Sequence, residues 1–295
     1  MWPGWRASSA PRPWSRSSSS PDTTWRPCSA WVWKRPELLA VAVEAARAGA
    51  RVLREAGMAH RVAEAKSAIG DWVTRYDHDS EAAIVDVLQR RSTGVGILAE
   101  EAGVIGPRGG TLWAVDPLDG TTNFTRAMPV VGVSVALVED GVPLLGVVIA
   151  PWLDLEFSAE RGGGVRLNGE PLPRIPPGDP ARAVVATGFP FKQKHQLPRY
   201  EPVLRGALRR FEDLRRAGAA ALDLSWSASG TLDGFFELGL GAWDIAAGAA
   251  ILLEAGGRVS DWSGGEGWLA SGDVLAGPPA IHEVLLELAA GPPQG

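Results

Sequence analysis

The chain has 295 residues, 45% of them hydrophobic, which supplies a large core and excludes global disorder. Its formal net charge of −5 is uneven: residues 1–35 hold six Lys or Arg against one acid, Asp22, and the rest holds 23 basic and 33 acidic side chains, net −10. An acidic body argues against direct nucleic-acid binding, which is driven by phosphate neutralisation, and a single cysteine, Cys28, excludes an internal disulfide and fits a reducing cytoplasm.

The first 35 residues, rich in Ser, Pro and Arg, contain six of the thirteen tryptophans without periodicity. No continuous apolar run marks a signal peptide. The segment reads as a disordered tail, or as sequence upstream of the natural start; a tryptophan-rich binding arm is the alternative. Order is expected from Pro36: "PELLAVAVEAARAGARVLREAG" places Pro at a helix start and Gly57 at its end. A loop with Lys66 follows, then a helix over 77–91 with acids in its first turn and arginines in its last. "GILAEEAG" (96–103) and "TLWAVDPLDG" (111–120) read as strands that end in acids. The runs at 130–138 and 142–150, split by Glu139-Asp140-Gly141, predict a buried hairpin. Both are shorter than the about 20 residues that cross a bilayer. Further strands are expected through 153–172, where the glycines serve turns. Beyond them, strands at 182–190, 232–239 and 272–277 alternate with helices at 198–211, 219–230, 243–257 and 279–290. This predicts an α+β half with a large antiparallel sheet over 36–180 and an α/β half over 181–295.

Five acids sit at element boundaries: Glu100, Glu101, Asp116, Asp119 and Asp244. Singly, each has a plain reading, as a turn, a solvated pair or, for Asp244, a helix N-cap. Together in one pocket they need a cation, since two charges about 4 Å apart repel by roughly 4 kcal/mol at an effective dielectric of about 20. Oxygen ligands without His or Cys suit Mg²⁺, Mn²⁺ or Ca²⁺. The histidines (His60, His78, His195, His282) lack ligand spacing and read as surface or loop residues. In "DPLDGTT", Pro117 restricts its own backbone and that of Asp116. Asp116 and Asp119 can then face one metal cluster, with the Leu118 carbonyl turned inward, Gly120 exposing an N–H and Thr121 a hydroxyl. That is equipment for metal-assisted phosphoryl hydrolysis.

"WAVDPLDGTTNF" (113–124) and "WDIAAGAAILLEAGG" (243–257) resemble the two signatures of the inositol monophosphatase family. "ILAEEAG" and "KSAIGDWVTRYDHDSE" (66–81) resemble two further segments, and the likeness runs in order from about residue 37 to the end. The resemblance implies a layered α/β/α/β/α sandwich, commonly dimeric, and a lithium-sensitive phosphomonoesterase in which a metal-activated water attacks in line. It implies that Glu100, Asp116, the Leu118 carbonyl, Asp119 and Asp244 bind about two or three Mg²⁺ ions, with Mn²⁺ as a substitute. Glu100 and Thr121 would orient the water, with Asp77 supporting Thr121. Gly120, Thr121 and Thr122 would meet the phosphate, Glu237 and Asp244 the substrate, and Lys66 and Asp71 would lie on a mobile loop. The implied substrate is a small polyol phosphate, myo-inositol 1-phosphate first; histidinol phosphate, fructose 1,6-bisphosphate and other sugar phosphates are alternatives. Ala99 stands where Gly is common, and Ala219 where many relatives carry Ser or Thr, which removes a hydrogen bond to substrate. Thr122 stands where nucleotide 3'-phosphatases tend to carry Lys. Some relatives act instead as partners of RNA-processing or transcription complexes, a second reading.

Overall fold

A computed structural model describes residues 35–60, 62–65 and 72–291. The segment 1–34, and Lys66 and Asp71 with the residues between them, lie outside the described residues. Helix α1 (Arg35–Ala56) stops at Gly57 as the sequence predicts. Strands β1 (Glu64–Ala65) and β2 (Trp72–Val73) pair antiparallel where a plain loop was expected. Helix α2 (Arg75–Arg91) starts two residues ahead of the expected 77, because Thr74 caps it. The Thr74 hydroxyl accepts from the Tyr76 N–H at 3.2 Å, and Asp77 accepts from both the N–H and the hydroxyl of Thr74 at 2.7 Å. Thr74→Ala removes the cap and a donor to buried Asp77, so urea denaturation should report a loss of about 1 kcal/mol. An unchanged midpoint would mean that neither bond stabilises the helix.

Strands β3 (Gly96–Ala99), β4 (Gly103–Ile105) and β5 (Thr111–Asp119) lead to the short helix α3 (Thr121–Thr125). Then come β6 (Gly132–Glu139), β7 (Val142–Ala150), β8 (Leu155–Glu160), β9 (Gly164–Leu167) and β10 (Glu170–Leu172). They form an eight-stranded sheet in the order β10-β9-β8-β7-β6-β5-β3-β4. It is antiparallel except between β3 and β5, which run parallel. The second half runs β11 (Val184–Thr187), α4 (Leu197–Arg210), β12 (Asp213–Arg215), α5 (Ala220–Ser229), β13 (Gly234–Glu237), α6 (Ala242–Glu254), β14 (Arg258–Ser260), α7 (Trp268–Ser271), β15 (Val274–Gly277) and α8 (Pro279–Ala290). Strands and helices alternate along this half as expected, and its five strands, ordered β12-β11-β13-β15-β14, make a mixed sheet. β11 is parallel to β12 and β13, whereas β15 is antiparallel to β13 and β14.

Side-chain alternation along the strands builds five layers. Trp113 and Val115 of β5, with Val133, Val135 and Leu137 of β6, pack under α1 and α2. Ala114, Ala136 and Val148 point to the opposite face, against α5 and α6. Those helices also cover Ala186, Phe235 and Ala276 of the second sheet. The far face of that sheet, Val185, Phe236 and Leu275, buries against Tyr200 and Val203 of α4 and Ile281 and Leu285 of α8. The order is therefore α/β/α/β/α, with the small residues of α5 and α6 letting the central helices lie close between two sheets. Burial also corrects one sequence reading: His282 is no surface residue. It is buried on α8, with Nε2 2.8 Å from the Ser260 hydroxyl, and desolvation lowers its pKa.

Candidate active site

The chemistry of "DPLDG" begins with a register shift. Asp116 pairs with Ser134 and Asp119 with Gly132, so β5 spends three steps where β6 spends two. Residues three apart on a regular strand point to opposite faces; one extra residue restores the parity. Both carboxylates then line the same cleft, while Leu118 turns its side chain into the core beneath α1 and α2. The bulge is pinned on three sides. Ser80 of α2 donates to the Pro117 carbonyl at 2.9 Å, the Leu118 N–H donates to Asp116 at 2.9 Å, and the Thr121 hydroxyl lies 3.2 Å from the Leu118 carbonyl. Gly120 follows at φ +91°, and a Cβ there would stand 3.0 Å from the Val130 carbonyl oxygen, so only glycine turns the chain here without strain.

Parallel pairing supplies the next acid. β3 ends at Ala99, opposite Val115 of the longer β5, and the Glu100 N–H donates to the Val115 carbonyl at 3.1 Å. Glu100 thus leaves its strand end next to Asp116. The turn is fixed by Glu81 of α2, which accepts from the N–H groups of Glu101 and Ala102 at 2.8 and 3.0 Å. Asp244 arrives from the central layer. It sits in the first turn of α6, and the Gly241 N–H donates to it at 2.5 Å, so it accepts a capping bond from within the helix instead of being the N-cap residue. Asp119 plays a similar part for α5, whose own N-cap residue is Ala219: the Ala221 N–H donates to Asp119 at 2.8 Å.

These groups share a cleft of about 530 Å³ lined by Glu100, Asp116, Leu118, Asp119, Gly120, Thr121, Thr122, Glu237 and Asp244. Ten of the twelve site residues named from the sequence are therefore described: these nine, and Asp77 just behind them, 3.2 Å from the Thr121 hydroxyl. The other two are Lys66 and Asp71. The cleft wall adds Lys192, Arg216, Thr187 and Asp223, which the sequence reading passed over. Nothing in "RRAGAAALDL" marks Arg216 and Asp223 as neighbours of Glu237; tertiary packing brings them there.

Burial holds Asp116 well above the usual carboxylate range, and Glu100, Asp119 and Asp244 add to it. Asp119 is raised in the same direction by burial and by Asp244. Asp244 is pushed up to about 7 by burial and then Glu100, and Glu237 to about 8 by burial against the opposing Arg216. Asp77 rises to about 6, burial outweighing its bonds to Thr74. Desolvated like charges favour protonated acids unless a cation replaces the protons. An all-oxygen donor set of this kind fits Mg²⁺ or Mn²⁺. Among the described residues no group of three or more acids stands close enough together to hold a metal ion as placed, so the donors share a cleft without forming a ready-made coordination site.

Five alternating layers with an acidic cleft at the strand ends are the architecture of a family of phosphatases. The chain belongs to the inositol monophosphatase family, whose sequence pattern matches residues 34–291. It is 38% identical over 251 residues to the protein named Nus factor SuhB of Escherichia coli (strain K12), covering 84% of this chain and 94% of that one. It is also 38% identical over 255 residues to the inositol-1-monophosphatase of Mesorhizobium japonicum, covering 86% and 96%. Among solved structures, the extragenic suppressor protein suhB from Bartonella henselae aligns with a TM-score of 0.78 at 34% identity, over 86% of this chain and 98% of that one. The inositol monophosphatase from Anabaena aligns with a TM-score of 0.78 at 33% identity, over 88% and 98%. Among the described residues, no helix is long and apolar enough to cross a membrane.

Proposed function

We propose that the chain is a Mg²⁺-dependent phosphomonoesterase acting on a small polyol phosphate, with myo-inositol 1-phosphate as the leading candidate. The observation that carries this reading is the bulge in β5, which turns Asp116 and Asp119 into one cleft with Glu100, Asp244 and the Thr121 hydroxyl. Glu100, Asp116, Asp119, Asp244 and the Leu118 carbonyl would hold the ions. Bound there, Mg²⁺ would supply charge for the phosphate and acidify a water. The chain's own groups do the rest. Thr121, backed by Asp77, orients the water beside Glu100. Gly120, Thr121 and Thr122 face the phosphate across an opening that Thr122, being exposed, leaves accessible. Glu237, which lines the same cleft, would meet the hydroxyls of the leaving alcohol. Lys66 and Asp71, outside the described residues, belong to this proposal through the family resemblance alone, as do a homodimer, lithium inhibition and a cytoplasmic location.

The test is a panel of phosphate esters assayed with Mg²⁺: myo-inositol 1-phosphate, histidinol phosphate, fructose 1,6-bisphosphate and phenyl phosphate. The polyol ester should give the highest kcat/KM, and Li⁺ should suppress its turnover. A higher value for histidinol phosphate or fructose 1,6-bisphosphate would move the assignment to that ester. A second reading, a partner of a transcription complex with incidental phosphatase activity, is favoured by one observation: relatives at 38% identity carry the name Nus factor SuhB. Absence of turnover on every ester, with polymerase components co-purifying, would favour it.

A further inference from the structure

Besides the acids of β5 the cleft is lined by a second set of polar side chains, drawn from three elements. Glu237 ends β13, Arg216 follows β12, and Asp223 lies in the first turn of α5. Two glycines make the space for it. A Cβ on Gly188 would overlap the Glu237 carboxyl group, and a Cβ on Gly218 would overlap Arg216 Nη1. The guanidinium of Arg216 lies 6.0 and 5.9 Å from the ring centres of Phe189 and Phe191, which steer it along the cleft rim. Asp223 senses the charges of Glu237 and Arg216, and Glu237 that of Arg216, yet among the described residues no ion pair joins Arg216 to either acid. Asp223 Oδ1 is sealed from solvent and has no hydrogen-bond partner. An acceptor left so is destabilising, and one that lines a cleft calls for a donor that the chain itself does not supply.

We infer that Asp223 and Arg216 are specificity-determining residues that join Glu237 in gripping adjacent hydroxyl groups of the leaving alcohol. The inference rests on the phosphatase reading above. The chemistry selects the ligand class. A hydroxyl both donates and accepts, so a vicinal diol satisfies an arginine and a carboxylate side by side: one oxygen accepts from Arg216, and one O–H donates to Asp223. The terminal torsion of an aspartate is soft, so a small rotation brings Oδ1 to the cleft it lines. An alcohol with no hydroxyl besides the esterified one leaves Asp223 unpaired and gains nothing from this wall. The wall therefore discriminates through the alcohol and not through the phosphate.

The experiment measures kcat and KM for myo-inositol 1-phosphate and for phenyl phosphate, with Mg²⁺, in the wild type, Asp223→Asn and Arg216→Gln. In each variant the ratio of the two specificity constants, polyol over phenyl ester, should fall about tenfold through the KM of the polyol ester, the size of one charge-assisted hydrogen bond. Arg216 is exposed, so its variant reports even where Asp223→Asn disturbs packing. An unchanged ratio, or equal losses on both esters, overturns the inference and leaves the phosphatase reading standing. Hydrolysis of neither ester by the wild type overturns both.

Discussion

Asp119→Asn is expected to lower Mg²⁺-dependent turnover by about a hundred- to a thousandfold, the loss seen when a group placed against developing charge is removed. The size follows from where the carboxylate stands. Its Oδ2 accepts the Ala221 N–H at 2.8 Å, and its charge faces Asp244 across the cleft. An asparagine keeps an acceptor oxygen, so the cap on α5 survives, but it offers an ion no negative charge. The same change deletes one member of a cluster of mutually repelling buried acids. Without metal the variant should therefore unfold at the same temperature as the wild type or higher, which separates lost chemistry from lost fold. Asp119→Ala is the contrast: it also uncaps α5, whose N-cap residue, Ala219, has no side chain that could cap, and should lose about 1 kcal/mol of stability. Near-normal Mg²⁺-dependent turnover in Asp119→Asn would remove Asp119 from the metal site and the phosphatase reading with it.

The parts of this molecule legible in the sequence are those with a local cause. Pro36 and Gly57 bound α1, and alternating apolar residues carry β5, β6 and β7. "DPLDG" announces a turn with two acids, and ten of the twelve named site residues fall where the structure describes them, nine lining the cleft and Asp77 behind Thr121. What was illegible depends on partners distant in the chain. β12 and β14 are three residues each, and pairing with β11 and β15 makes them strands. β15 runs against its neighbours, which no local pattern encodes. The bulge was hidden as well: sequence shows two acids three apart, but only the register against β6 shows why both face one side. Asp223 and Arg216 lie seven residues apart in a stretch that reads as the approach to a small-residue helix. They become one wall with Glu237 only when α5 and β13 pack together. His282 misled for the same reason, since its burial is decided by Ser260 on another element.

The metal-free protein should lose stability as pH rises, and Mg²⁺ should restore it. Asp116, Asp119, Asp244 and Glu237 all have folded-state pKa values above their ordinary ones, with Asp244 at about 7 and Glu237 at about 8. The unfolded chain releases these protons near pH 4, whereas the folded chain retains them, so the stability they contribute is complete below about pH 4 and is lost as pH climbs through about 7 to 8. In EDTA the melting temperature should fall from about pH 5 to about pH 8. An ion that takes the place of these protons must displace them, so its affinity grows with pH over the same window. Saturating Mg²⁺ at about a hundred times its dissociation constant adds about 2.7 kcal/mol, a rise of about 5 °C for a protein of this size. That gain should be large at about pH 8 and small at about pH 5, where protons compete. Asp119→Asn should show a smaller Mg²⁺ shift at the higher pH, because one of the acids that binds the proton or the ion is gone. Differential scanning calorimetry in EDTA and in Mg²⁺ reads every term. A melting temperature in EDTA that rises with pH would contradict the burial of these acids. A melting temperature that Mg²⁺ leaves unmoved at about pH 8 would mean that the bulge in β5 gathers carboxylates for something other than a cation.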